Sequence, residues 1–249
     1  MSKLFIPYIT AGFPSKKLFL PIIKMFSEIG ADFIEVGVPH SDPLADGPTI
    51  QYSSMIALKN RTTLNWIVET LRATSLQQKF KPLILFSYLN PIMQYGVEKL
   101  LKDLPKPLFY GLIIPDLPLE EARRYLPLFK KYKLNLILLA APTTKHSKLK
   151  KIAKFSSGFI YLVSTTGVTG TRKKIPVDLK NKIKEIKSIA KKPVAVGFGI
   201  SNSSQAKKIV SLGADGVVVA SAIMKLLLKK NKSSLNKVKS FVSSLRNSF

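Results

Sequence analysis

Eight short runs of branched and aromatic residues, separated by segments of helical spacing, restrict this chain more than any other feature. They are LFIPYIT (4 to 10), DFIEVGV (32 to 38), PLILFSY (82 to 88), FYGLIIPD (109 to 116), LNLILLAA (134 to 141), FIYLVST (159 to 165), PVAVGFG (193 to 199) and GVVVASA (216 to 222). Nearly unbroken apolar strands belong to sheets covered on both faces, and such sheets are parallel. The segments between them carry apolar residues at helical intervals, as in Leu18, Ile22, Ile23 and Phe26, with Gly30 as a stop signal. Strand and helix alternate through all 249 residues with no linker, repeat of another kind or low-complexity tract. The pattern predicts a single domain over residues 1–249, a closed (β/α)8 TIM barrel rather than an open doubly wound sheet.

Composition removes several classes of function. The chain has no cysteine, which excludes disulfides and thiolate metal sites, and two histidines, His40 and His146, are too few for a histidine-rich metal centre. No metal and no cofactor are expected. The amino-terminal residues reach Pro7 and Gly12 without the apolar core of a signal peptide, and nowhere are there 18 consecutive apolar residues. The expectation is a soluble, unprocessed protein without membrane association, in the cytoplasm or, for an organelle-encoded chain, the stroma of a plastid. Forty Lys and Arg against 14 Asp and Glu give a net charge of +26. Such a charge attracts polyanions. The basic residues, however, are spread over nearly all the helical segments and form no arm, finger or aromatic RNA-binding motif, so no specific nucleic-acid partner is expected.

The second strand raises a sharper question. Alternation puts Ile34, Val36 and Val38 on one face and Phe33, Glu35 and Gly37 on the other. The branched face suits the helix layer, so Glu35 points into the barrel. A buried carboxylate costs several kcal/mol unless it is paired or stays protonated. A structural ion pair would need a buried base, and the apolar strands contain none. A catalytic acid or base is the alternative, because desolvation brings a carboxyl toward the working pH. The loop that follows, PHSDPLADGPTIQ, leaves the carboxyl end of its strand, where barrel enzymes carry their chemistry, and three prolines stiffen it. Asp42 reads as a turn or capping residue.

The stretch ADFIEVGVPHSDPLADGPTIQ closely resembles the signature of the tryptophan synthase α subunit family. The similarity continues through FIPYITAGFP, YLNPIMQYG, IIPDLP, YLVSTTGVTG and GFGIS, over nearly the whole chain. It implies carbon–carbon lyase activity: retro-aldol cleavage of indole-3-glycerol phosphate to indole and glyceraldehyde 3-phosphate, in the biosynthesis of tryptophan. By this resemblance Glu35 matches the proton-transferring glutamate, and Asp46 the aspartate that accepts the indole N–H and stabilises charge on the ring. Tyr161 matches a tyrosine beside the glycerol chain. Gly170, Gly199 and Ser221, in GVTG, GFGIS and ASA after the sixth, seventh and eighth strands, match a phosphate cup. Thr169 matches the threonine of a lid that meets Asp46 on closure. Pro43 and residues 87 to 96 correspond to surfaces that contact a PLP-dependent tryptophan synthase β subunit, implying an α2β2 tetramer.

The chain departs from the family pattern in three places. Ala220 stands where glycine is commoner, one methyl nearer the phosphate. Tyr8 stands where phenylalanine is common, adding a hydroxyl near the indole pocket. The helix that usually precedes the first strand has almost no room before Leu4. Two other functions compete with an active lyase subunit: a catalytically weak subunit that mainly activates its partner, and a basic nucleic-acid-binding barrel. Another phosphate-binding barrel enzyme, such as a sugar-phosphate epimerase, would need a metal or a different acid–base set.

Overall fold

A computed structural model describes residues 3–75, 79–106, 108–163, 178–197, 199–228 and 232–248. The elements run β1 (Leu4–Thr10), α1 (Lys16–Ile29), β2 (Ile34–Gly37), α2 (Pro48–Lys59), α3 (Leu64–Ser75), β3 (Leu83–Phe86), α4 (Leu89–Tyr95), α5 (Val97–Asp103), β4 (Phe109–Ile113), α6 (Leu119–Lys131), β5 (Asn135–Ile137) and β6 (Leu139–Ala140). They continue with α7 (His146–Phe155), β7 (Ile160–Val163), α8 (Leu179–Ala190), β8 (Val194–Gly197), α9 (Ser203–Ser211), β9 (Gly216–Val219), α10 (Ser221–Leu227) and α11 (Lys232–Arg246).

All strand pairs are parallel, in the order β5-β4-β3-β2-β1-β9-β8-β7-β6. The two ends of that order are consecutive in the chain. Residues 135 to 140 form one stave, whose first half pairs with β4 and whose second half pairs with β7. Leu138, between the halves, accepts a hydrogen bond from the Tyr161 N–H. The barrel therefore closes with eight staves, one for each apolar run in the sequence.

Strand and helix ends differ from the sequence reading by a few residues, for a local reason. GVVVASA was expected as strand through 222, but pairing stops at Val219 and Ser221 already opens α10. Short apolar residues serve a strand and a buried helix equally well. The helical spacing seen around Leu18 becomes α1, which buries Phe19, Ile22, Ile23 and Phe26 and is closed by Gly30 at φ 91°.

Among the described residues no helix precedes β1. The lower barrel interior is filled by its own rings: Phe33 lies 4.4 Å from Tyr110 and 6.2 Å from Phe159, centroid to centroid. Tyr110 takes part because register shifts between Leu83 and Ile84, whose partners on β4 are Phe109 and Gly111, so Tyr110 is the extra residue of a bulge. Two carboxylates fasten the same end. Asp32 Oδ2 accepts the Phe5 N–H and meets Arg246, while Asp215 accepts the Val194 N–H and pairs with Lys187 at 2.7 Å. With this end built for packing, the carboxyl ends of the strands are left for chemistry.

Candidate active site

Glu35 lies in the middle of β2, is 2 % exposed, and sits level with Tyr8 of β1 and Ile84 of β3. Its Oε2 is buried without a hydrogen-bond partner. Among the described residues no base pairs with it, which leaves the ion-pair alternative without a partner there. Burial, and secondarily the negative charge of Asp46, push its pKa from 4.5 to about 8. At neutral pH Glu35 is therefore a carboxylic acid.

Asp46 comes from the loop between β2 and α2 and is also buried. The loop is shaped by its own hydrogen bonds: Asp46 N–H to the Pro43 carbonyl (2.9 Å), Asp42 N–H to His40 Nδ1 (2.9 Å) and Gln51 Nε2 to the Asp46 carbonyl (2.9 Å). Burial lifts the Asp46 pKa to about 6, and a hydrogen bond from the Tyr88 hydroxyl to Oδ2 (3.1 Å) holds it down against that rise. At pH 7 the site thus holds one neutral carboxylic acid and one carboxylate, a division produced by environment alone.

Tyr8 and Tyr161 complete the group. Both are buried, and both hydroxyls are pushed to high pKa by desolvation first and by the charges of Glu35 and Asp46 after it, which places all four side chains around one space. Two glycines make the space. A Cβ on Gly37 would lie 2.0 Å from the Tyr8 hydroxyl, and one on Gly197 would lie 2.3 Å from the Tyr161 hydroxyl. Each tyrosine lies over a glycine of an adjacent strand, which any side chain would displace.

The Tyr8 hydroxyl is used inside the wall. Ser53 donates to the Ile50 carbonyl (2.8 Å), so Thr10 must donate to Ser53 (2.7 Å) and Tyr8 to Thr10 (3.2 Å). The hydroxyl proton is thereby engaged by Thr10, and the ring packs edge-on against Phe86 at 6.3 Å. A tyrosine can thereby stand in for an apolar ring at little cost.

Of the remaining sequence candidates, Ser221 is buried at the first turn of α10, and Gly199 is half-buried just beyond β8. β8 and β9 pair side by side, Gly197 against Val218, so both candidates lie at the same end of the barrel as Asp46. Thr169 and Gly170 lie outside the described residues. The sequence reading placed Tyr88 only within the partner-contact segment 87 to 96 and missed it as a site residue; it is buried. It sits in an apolar run and looks like packing; only the fold carries its hydroxyl to Asp46. Among the described residues no group of His, Cys, Asp or Glu could hold a metal ion.

A family model for the tryptophan synthase alpha chain matches residues 1–248. The chain belongs to this family. The tryptophan synthase alpha chain of Prochlorococcus marinus is 44% identical over 242 residues, covering 96% of this chain and 86% of that one. The alpha chain of Arabidopsis thaliana is 43% identical over 222 residues, 89% of this chain and 80% of its own. Among solved structures, a Mycobacterium tuberculosis tryptophan synthase matches with a TM-score of 0.90 at 32% identity, covering 99% of this chain and 92% of that chain. A tryptophan synthase complex from Pyrococcus furiosus matches with a TM-score of 0.89 at 33% identity, covering 99% and 100%. Tryptophan synthase alpha chains are lyase-type enzymes built on this barrel, and they pair with a β subunit. Among the described residues no helix is long and apolar enough to cross a membrane.

Proposed function

We propose that the chain cleaves indole-3-glycerol phosphate to indole and glyceraldehyde 3-phosphate. The observation that carries this reading is the divided pair of carboxyls, Glu35 near pKa 8 and Asp46 near 6, buried at one end of the barrel. The reaction needs that division. Indole leaves only after its C3 is protonated, and a neutral Glu35 supplies the proton. The positive charge that builds on the ring is met by ionised Asp46, which accepts the indole N–H. As the carbon–carbon bond breaks, its electron pair returns to the ring and the glycerol carbon becomes a carbonyl. The hydroxyl proton released goes to the Glu35 carboxylate, which ends the cycle protonated.

Tyr8 and Tyr161 bound the pocket for the ring and the glycerol chain. The backbone at Gly199 and Ser221, with Gly170, receives the phosphate through N–H groups, as strand ends of this barrel type commonly do. Thr169 is assigned to a lid that excludes water over Asp46. None of this uses a metal or a cofactor.

The partner is a PLP-dependent β subunit in an α2β2 tetramer. Leu44 and Met93 support that assignment, since both are large, apolar and more than half exposed, one on the β2–α2 loop and the other on α4. The compartment is the cytoplasm, or a plastid stroma if the gene is organellar. Indole release from indole-3-glycerol phosphate by the purified chain, with and without a β subunit, tests the reading. No release under either condition overturns it.

A further inference from the structure

Tyr88 is mounted with unusual care for a residue at a strand end. It is 5 % exposed and is the N-cap of α4. The backbone is fastened on both sides: Ser87 N–H bonds the Ile113 carbonyl (3.0 Å), and Leu89 N–H bonds Asp116 Oδ1 (2.8 Å). Its ring meets the His40 ring edge-on at 4.7 Å. Its hydroxyl accepts the Ala45 N–H (3.0 Å) and donates to Asp46 Oδ2 (3.1 Å). Among the described residues it is the one side chain that donates to that carboxylate.

We propose that Tyr88 is a positioning residue that orients the Asp46 carboxylate and ties the β2–α2 loop to the β3–α4 connection. The geometry dictates the direction of the bond. The Ala45 N–H occupies a lone pair of the hydroxyl, so the hydroxyl proton is free to point at Asp46. An ionised carboxylate is an acceptor only, so Asp46 accepts this hydrogen bond as the anion while the proton stays on Tyr88. One oxygen of Asp46 is thus fixed, and the other is aimed by the rigidity of the carboxyl plane. The same clasp joins the loop carrying Leu44 to the helix carrying Met93, so whatever docks on those exposed side chains bears on a loop whose far end is Asp46.

This inference rests on the reaction proposed above, and its test has one arm that does not. Tyr88→Phe in the full chain keeps the ring on His40 and leaves the Ala45 N–H to water, since Ala45 is exposed. Indole release should fall by roughly tenfold or more, the scale of a hydrogen bond to a charged group, with the loss in kcat rather than KM. The acid limb of the rate profile should move to higher pH, because the bond that favours the Asp46 carboxylate is gone. The independent arm is carbon-13 titration of the aspartate carboxyls, with Asp46 assigned by its disappearance in Asp46→Asn. Its midpoint should rise in Tyr88→Phe whether or not the chain turns over substrate. An unmoved Asp46 midpoint overturns the inference. So does a rate loss without a shifted acid limb, which would make Tyr88 a packing residue. A parent chain that releases no indole would instead count against the reaction, with the titration still deciding the role of Tyr88.

Discussion

Replacing Glu35 with glutamine should remove turnover and, at the same time, stabilise the fold in a manner set by pH. The carboxyl has a folded pKa of about 8 against 4.5 unperturbed. Because the folded value is the higher one, the folded state holds a proton that the unfolded chain releases above pH 4.5. Stability is then lost progressively as pH rises from 4.5 to 8. At 1.36 kcal/mol per pKa unit the penalty carried by the parent is about 1 kcal/mol at pH 5, about 3 at pH 7 and between about 4 and 5 at pH 8.5. Glutamine has the shape of the neutral acid and cannot ionise, so it escapes the penalty. Asp46 titrates in both proteins and cancels in the difference. Thermal unfolding followed by circular dichroism at the three pH values should show little gap at pH 5 and a gap on the order of 6 to 12 °C at pH 7, widening above it. A gap that does not change with pH, or a variant less stable than the parent at pH 8.5, would refute the reasoning that burial without a partner governs Glu35. Cleavage near the parent rate in the same variant would remove Glu35 from the chemistry.

Asp46→Asn should lower kcat by on the order of 10²-fold or more, since a lost electrostatic contact to developing charge is worth about 3 kcal/mol; an effect confined to KM would reduce Asp46 to a binding residue. The parent's kcat/KM should trace a bell, rising as Asp46 ionises near pH 6 and falling as Glu35 loses its proton near pH 8, and a profile flat across that window would contradict the division of roles. Gly37→Ala would place a methyl against the Tyr8 hydroxyl, and the displaced ring should cost on the order of 10²-fold in indole release with the far-ultraviolet spectrum preserved. DNA or RNA retention on filters should be independent of sequence and fall steeply with salt, because +26 is a diffuse field and not a reading surface; selective binding that survives about 0.2 M salt would point to a dedicated nucleic-acid site.

The alternation of eight apolar runs with helical segments determined the barrel, because a strand buried on both faces has to be apolar throughout and the period of the intervening residues can only cover it with helices. Glu35 was legible for the converse reason: one carboxylate in such a run, on the face opposite the branched residues, has no inexpensive structural use. Asp46, Tyr161, Gly199 and Ser221 entered as candidates through the family signature, which records spacing along the chain. Strand ends were not legible, as residues 220 to 222 show, since Ala and Ser carry no preference that separates the last pair of a strand from the first turn of α10. Relations between side chains distant in sequence were decided by the tertiary structure alone. Tyr88 and Asp46 are 42 positions apart, and nothing local marks them as partners. Gly37 and Gly197 read as ordinary strand glycines until an adjacent strand lays a tyrosine over each. The hydroxyl of Tyr8 looks like an intrusion until Thr10 is seen to accept its hydrogen bond and to pass its own to Ser53. Even the protonation of Glu35 belongs to the fold, because a pKa is set by the solvent and charge that surround a group, and those are fixed only when the barrel closes.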